Sequence, residues 1–288
     1  MNIPTLDECV LSALNLFQKE KIPSLSIPTF KRPLVVGSGN AAVTGRILFA
    51  DKDALFADES NYQGKIKYCD GAILISASGG KHAPILVTEL RNRKKDVILL
   101  TNNPNAPAKA LVTKTITFPK QTEPYTYNTS TYLGMILAKT KENPTTILSL
   151  VQALKVSRNL SKYNAFFIII PAEFELLKEM FQTKFDELFG PMMVGRIFTP
   201  EQVKHAKTVI PSDKELFISL GYENKLFGVQ RWNIALPAKV DYGLLMALGY
   251  SIIGKIQSQH PPYFKDNITR YCQDTSTLFQ EKIEVWVT

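Results

Sequence analysis

Several features that would place a protein in another class are missing from this sequence. None of its apolar runs reaches the roughly 18 residues of a membrane-spanning helix, and we expect no contact with a membrane. Asp7 and Glu8 lie where a secretory signal peptide would carry basic residues. The cysteines are few, scattered and odd in number: Cys9, Cys69 and Cys272. Such a set argues against a disulfide framework and a zinc site, so we expect a cytoplasmic protein without a bound metal.

Charge and composition favour a globular protein that binds an acidic partner. The chain is 45% hydrophobic and 21% charged, and 34 basic residues against 26 acidic ones give it a net charge of +8. Phosphate esters and nucleic acids both suit this balance. The densest basic cluster, residues 91–95, closes a predicted helix, where cations complement the helix dipole. Because no aromatic residues interleave with these charges, we rank nucleic acid far below a phosphate ester.

Short apolar segments alternate with helix-like segments in two successive series. The first series has predicted strands at 34–36, 54–57, 71–77, 97–101 and 113–118. The second series begins after Pro144 and has predicted strands at 165–170, 216–220 and 229–236. This alternation is typical of parallel sheets covered by helices on both faces. We therefore predict an α/β fold of two lobes, residues 1–144 and 145–288.

The first strand of the series is followed by a glycine turn. Gly37, Ser38 and Gly39 allow a tight turn and a close backbone approach, and the next helix offers free amide groups to an anion. The full dinucleotide-binding pattern is absent in our interpretation, since Ala42 fills the last glycine position and no acidic residue is assigned to the end of the next strand. A purely structural turn is an equal alternative.

A second turn carries hydroxyl groups, glycines and a lysine at the carboxyl end of a predicted strand, where ligands bind in open α/β sheets. Ser76, Ser78 and the backbone at Gly79 can satisfy phosphate oxygens, and Lys81 adds positive charge. The alternative is that the serines only cap the next helix. Thr101 ends the neighbouring strand on the same edge, and we expect it to line the same pocket.

These turns resemble the phosphosugar-binding SIS (sugar isomerase) domain. Its Ser-x-Ser-Gly pattern corresponds to Ser76, Ser78 and Gly79, and the threonine that ends its next strand corresponds to Thr101. Lys81 departs from the family, which has a threonine at that position. The resemblance extends over residues 30–265 as two SIS-like lobes. It implies two three-layer αβα lobes, each with a mainly parallel sheet, a phosphorylated sugar as ligand, no cofactor, and a homodimer with its sites near the interface.

The second lobe is similar to the isomerase module of glucosamine-6-phosphate synthase, in which a glutamate on a helix is followed by a Glu-x-x-His motif. Glu187 and His205 are the matching residues. Aldose–ketose exchange needs a base that moves a proton between adjacent carbons, and a buried glutamate can be tuned for this task. A histidine titrates in the range suited to opening the sugar ring. Glu123 is a rival base, and Lys265 matches a lysine that the family places near the sugar.

Three functions are open at this point. The first is an aldose–ketose isomerase that acts on a hexose or hexosamine phosphate, with Glu187 as base and His205 opening the ring, in the same chain or in the neighbouring subunit. The second is a non-catalytic, sugar-phosphate-binding regulatory protein, which the departure at Lys81 favours. A nucleic-acid binder is third, and we do not expect it.

Overall fold

The computed structural model describes residues 3–80, 82–156 and 158–287, so Lys81 lies outside the described residues. The α-helices are α1 (Leu6–Lys19), α2 (Asn40–Leu48), α3 (Ala83–Asn92), α4 (Thr129–Thr140), α5 (Pro144–Ala153), α6 (Leu177–Phe189), α7 (Pro200–Val203), α8 (Tyr242–Gln257) and α9 (Tyr263–Phe279). The strands are β1 (Pro33–Val36), β2 (Leu55–Ala57), β3 (Gly71–Ile75), β4 (Asp96–Thr101), β5 (Lys114–Thr117), β6 (Glu123–Pro124), β7 (Ala165–Ile169), β8 (Val194–Phe198), β9 (Glu215–Leu220), β10 (Gln230–Ile234) and β11 (Trp286–Val287).

The first sheet has the strand order β2-β1-β3-β4-β5, with all neighbours parallel. Its three central strands, β1, β3 and β4, are buried on both faces, because Val35 and Ile73 point into the main core with α1, α2 and α4, while Leu34 and Leu74 join a second cluster with α3. Burial on both faces explains why these three strands are almost continuously apolar. The strand order reverses between β1 and β3, which opens a crevice at the carboxyl ends of those two strands.

The second sheet is also parallel, in the order β10-β9-β7-β8. Its inner face, with Phe166 and Ile168, packs into the main core with α6 and α8. Its outer face is covered more thinly, by a small cluster around Phe167, Phe217 and Val203 of the four-residue helix α7. Strand β8 is missing from our prediction, because this edge strand has no run of buried residues that would distinguish it from a loop.

The predicted α/β architecture with two parallel sheets is confirmed. Residues 33–117 form the first sheet and residues 165–234 form the second. The division at residue 144 stays a prediction; Asn143 caps α5 there, accepting a hydrogen bond from the Thr145 N–H at 2.8 Å. The chain end returns to the first half, where β11 pairs antiparallel with β6.

The two halves share one core, in which α8 is almost entirely buried. Helix α1 packs on α8 with very close backbone approach, since a Cβ added to Gly254 would lie 2.1 Å from the Asp7 nitrogen. Helix α2 of the first half lies beside α6 of the second, and Arg46 pairs with Glu179 between them. Within the described residues, no helix is both long and apolar enough to span a bilayer.

Candidate functional site

The turn that follows β3, residues 76–79 and here called the serine turn, presents hydroxyl and amide groups at the carboxyl edge of the first sheet. The Gly79 N–H donates to Ser76 Oγ at 3.1 Å, and the Gly80 N–H donates to Ser78 Oγ at 3.2 Å. Both hydroxyls therefore hold the turn as acceptors, and each keeps its own proton to donate to a ligand. Gly79 has φ +62°, and a Cβ there would lie 2.5 Å from the Cβ of Ala106. The turn thus requires glycine at this position.

Thr101, at the end of β4, supports this turn from the neighbouring strand. Its buried hydroxyl donates to the Ala77 carbonyl at 2.7 Å and accepts from the Asn103 N–H at 3.1 Å. The Asn103 side chain in turn donates to the Ser78 carbonyl at 2.9 Å. Thr101 therefore lies behind the turn, outside the cavity in front of it, and positions the backbone that carries the two serines.

The glycine turn lies on the other side of the crevice, after β1. A Cβ on Gly37 would lie 2.9 Å from the Ala41 carbonyl carbon, and Gly39 has φ +53° where α2 begins. The Ser38 hydroxyl donates to the carboxylate of Glu59, so an anionic group already lies at this turn. Our reading of the region after β2 was wrong, because Asp58 follows that strand directly.

A cavity of about 280 Å³ lies between the two turns. Gly37 and Ser38 line it on one side, Ser76 and Ser78 on the other, and Tyr132 forms part of its wall. It is also lined by His82 and by Phe279. The structure thus brings both predicted turns to one cavity. Its size is at the lower end of ligand pockets and suits a small metabolite.

Glu187 lies near the end of α6 and pairs with a lysine that the sequence reasoning missed. Lys184 is fully buried and donates to Glu187 Oε2 at 2.6 Å and to the Thr126 carbonyl at 2.8 Å. Burial raises the pKa of Glu187, and the ammonium of Lys184 works against that rise. A quarter (25%) of the Glu187 side chain is exposed, so a ligand can reach it. The spacing of three residues on one helix was the available signal for this pair.

Glu187 does not line the cavity at the two turns; it lines a larger, mainly apolar cavity of about 650 Å³ beside α9. Tyr132 lines the smaller cavity, and its pKa is raised by burial and further by the charge of Glu187. Burial also raises the pKa of Tyr125, and the charges of Glu281 and Glu187 add to this. Glu187 is therefore close to Tyr132, which lines the cavity at the two turns, while Glu187 itself lines the other cavity.

Glu123 is the other predicted base, and its oxygens already hold hydrogen bonds. It is 1% exposed and accepts from the Thr129 N–H at 2.8 Å, the Ser130 N–H at 3.2 Å and the Ser130 hydroxyl at 2.8 Å. These donors belong to the first turn of α4, which the carboxylate caps. Burial raises the pKa of Glu123, and the hydrogen bonds oppose the rise. Its contacts are those of a helix cap.

The predicted residues His205 and Lys265 lie outside the cavity at the two turns, and of the two other histidines only His82 lines it. His205 is exposed just after α7, and Lys265 is exposed in the first turn of α9. His260 is held in the fold, with Nε2 3.1 Å from the Leu160 carbonyl oxygen, and burial lowers its pKa. Among the described residues, no group of three or more His, Cys, Asp or Glu side chains is arranged to hold a metal ion.

Comparison with known proteins identifies the fold. No protein-family model and no curated protein matches the chain, whereas solved structures match over most of its length. Glucosamine-6-phosphate deaminase from Thermotoga maritima is 13% identical, with a TM-score of 0.62 over 91% of this chain and 97% of that chain. The tagatose-6-phosphate ketose/aldose isomerase of Escherichia coli is 13% identical, with a TM-score of 0.56 over 88% of each chain.

A third structure is the C-terminal domain of glucosamine-fructose-6-phosphate aminotransferase from Francisella tularensis. It is 12% identical, with a TM-score of 0.55 over 87% of this chain and 92% of that chain. Identities this low establish a common fold. The chain has the SIS-type αβα fold of these structures, which is the fold that the resemblance of its turns to the SIS domain implied.

Proposed function

We propose that this protein binds a phosphorylated sugar in the cavity between the glycine turn and the serine turn, and that it isomerises a hexose or hexosamine phosphate between aldose and ketose forms. The observation that carries the binding part is the cavity at the strand-order reversal, lined by Ser76 and Ser78. Two serine hydroxyl protons and the start of α3 supply donors for phosphate oxygens. The solved structures of similar fold include proteins named for sugar phosphates, which supports this ligand class.

The catalytic part rests on Glu187 and the buried ammonium beside it, and it requires that the C1–C2 end of the sugar reach from the cavity at the two turns to the cavity that Glu187 lines. In the open-chain sugar, Glu187 takes the proton from C2 of the aldose, and the electron pair forms the C1–C2 double bond and leaves an oxyanion at O1. A proton then passes from the C2 hydroxyl to O1, so that the negative charge lies on O2. The same carboxyl group then returns a proton to C1, which gives the ketose. Burial raises the pKa of Glu187 and favours this exchange, while Lys184 holds one carboxylate oxygen and keeps the base ionised.

His205 is exposed on its own chain, and in this proposal it serves the neighbouring subunit of a homodimer. The imidazolium form donates its proton to the ring oxygen as the bond from that oxygen to C1 breaks, and the C1 hydroxyl gives its proton to water as C1 becomes the carbonyl carbon. Exposed aliphatic side chains at Val209 (74%) and Ile210 (83%) follow His205 and are the kind of surface that a second subunit covers. A cytoplasmic location belongs to the same proposal and is supported by three buried cysteines that form no disulfide with one another.

The second candidate is a regulatory protein that binds a sugar phosphate without converting it. The observation that favours it is the separation of Glu187 from the cavity at the two turns. In that case a sugar phosphate still binds in the cavity between the two turns, called the phosphosugar cavity below, and Glu187 takes no part in a reaction. Glu123 is the alternative base if an isomerase activity is found that does not need Glu187.

Two measurements test these functions. A thermal-shift screen against hexose and hexosamine phosphates should show one ligand that stabilises the protein by about 2.7 kcal/mol at a hundred times its dissociation constant. Ser78→Ala should weaken that ligand by about tenfold or more, because a hydroxyl partner of a charged oxygen is lost. Ser149→Ala, at an exposed serine of α5, is the matched control. If no sugar phosphate shifts the melting temperature, the binding proposal fails.

Glu187→Gln separates the enzyme from the regulatory protein. This substitution keeps the shape of the side chain and removes the base, so isomerisation should fall by at least about a hundredfold with little change in ligand affinity. If the Glu187→Gln variant turns over at the parental rate, Glu187 is not the base. Binding without any turnover by the parental protein would favour the regulatory function.

A further inference from the structure

A second cleft adjoins the phosphosugar cavity and has no role in the proposed reaction. It has a volume of about 470 Å³ and lies on the β2 side of the glycine turn. Gly37, Ser38 and Glu59 line both this cleft and the 280 Å³ cavity, so the two spaces share one wall. The two spaces therefore adjoin at Ser38.

The lining of the second cleft is polar. Asp58 begins directly after β2, and Ser60 and Asn61 follow it. Asp58 Oδ1 accepts hydrogen bonds from the Ser60 N–H at 2.8 Å and the Ser60 hydroxyl at 2.6 Å. The carboxylate is partly exposed, so it can also accept from a ligand. The hydroxyl of Ser60, the amide of Asn61 and the carboxylate oxygens together supply the donors and acceptors that recognise sugar hydroxyl groups.

The charges in this cleft decide against a second phosphate group. Three carboxylates line it: Asp58 and Glu179 lie in this cleft and not in the 280 Å³ cavity, and Glu59 lies at the border of the two. Among the described lining residues the one cationic side chain, Arg46, is already paired with Glu179. The hydrogen bonds from Ser60 lower the pKa of Asp58, so this group is ionised at neutral pH. A diphosphate or nucleotide placed there would meet like charge. The glycine turn alone would suggest a nucleotide, and the carboxylates instead favour a neutral, hydroxyl-rich group.

We infer that the natural ligand is a phosphorylated disaccharide, with its phosphorylated ring between the two turns and its second, neutral ring in the cleft lined by Asp58, Ser60 and Asn61. This inference rests on the proposed phosphosugar site. If the protein is an isomerase, C1 and C2 of the phosphorylated ring must be free, and the second ring is then attached through another carbon. The surplus of space supports the assignment, since a hexose phosphate needs only the smaller cavity.

The test compares matched ligands by isothermal titration calorimetry on the full chain. The first pair is glucose 6-phosphate and maltose 6-phosphate phosphorylated on its reducing ring; the second pair is glucosamine 6-phosphate and its 4-O-glucosyl derivative. Unphosphorylated maltose is the control for sugar binding without phosphate. We expect one disaccharide phosphate to bind at least about tenfold more tightly than its monosaccharide partner, as several added hydrogen bonds allow.

Variants assign that gain to the cleft. Asp58→Asn and Asn61→Ala should remove most of the gain and leave the monosaccharide phosphate affinity unchanged, because neither side chain lines the phosphosugar cavity. Asp53→Asn, at an exposed aspartate outside both spaces, should change neither affinity.

The outcomes separate this inference from the proposed function. If monosaccharide phosphates bind and the disaccharide phosphates bind no more tightly, or gain equally in the Asp58 and Asn61 variants, the inference is wrong and the phosphosugar function stands. If none of the phosphorylated sugars binds, both are wrong.

Discussion

Replacing the buried Lys184 by methionine tests how the fold supports Glu187. The change keeps the length of the side chain and removes an ammonium that is fully buried and 2.6 Å from the Glu187 carboxylate. Breaking a buried pair by removing one partner costs about 3–5 kcal/mol, because it leaves a charge uncompensated. Glu187 is partly exposed and can take up a proton, so we expect a smaller loss in the free energy of unfolding, about 2–3 kcal/mol at neutral pH.

The loss should depend on pH, with a sign that follows from the pKa of Glu187. Burial raises that pKa above the ordinary value of 4.5, and Lys184 opposes the rise. A carboxyl group whose pKa is higher in the folded chain than in the unfolded chain lowers stability as the pH rises from the unfolded value through the folded value. Without Lys184 the folded pKa rises further. Lys184→Met should therefore lower the free energy of unfolding only slightly at pH 5 and by nearly the full amount at pH 8.

Urea unfolding followed by circular dichroism at the two pH values measures this difference. Glu187→Gln in the Lys184→Met background should abolish the pH dependence and recover part of the stability, since no buried charge then lacks a partner. Equal destabilisation at pH 5 and pH 8, with no recovery in the double variant, would mean that Lys184 acts through packing alone.

Three further predictions concern the serine turn, the cap of α8 and the buried cysteines. Gly79→Ala should lower the free energy of unfolding by about 1–3 kcal/mol, because φ is +62° and the added Cβ meets Ala106. Gly64→Ala should not lower it, because a Cβ at Gly64 meets no atom within 4 Å. Chemical denaturation measures both variants. Glu142→Gln should cost about 1 kcal/mol by the same assay, since the carboxylate accepts from the first amides of α8, and an unchanged midpoint would contradict that role. The three buried cysteines, whose pKa values burial raises, should react with a thiol reagent only after unfolding, and rapid labelling of the native protein would show that they are accessible.

Periodicity predicted most of the fold because the first sheet is buried on both faces. Its strands are short apolar runs between turn residues, and such runs can be recognised without knowledge of their neighbours. Strand β8 was missed because it is an edge strand with an exposed residue, Val194, and few buried ones. Strands β6 and β11 have two residues each and exist because the chain end returns to the first half, which local sequence does not encode.

The serine turn could be predicted because its residue types are required by local geometry. Gly79 provides the positive φ, and Ser76 and Ser78 accept hydrogen bonds within four residues of the chain. Thr101 was placed correctly at the end of its strand, yet its hydroxyl faces the backbone of the turn and not a ligand. The direction of a side chain depends on what packs beside it, and that is a tertiary property.

The sequence by itself determined the alternation of strands and helices and the two turns at strand ends. Each of these depends on residues close together in the chain. Only the tertiary structure decided that Lys184 neutralises Glu187, that Glu123 is held as a cap of α4, and that Asp58 opens a second cleft beside the first. These facts depend on burial and on distances between segments far apart in sequence, and both arise only when the two sheets pack around α8.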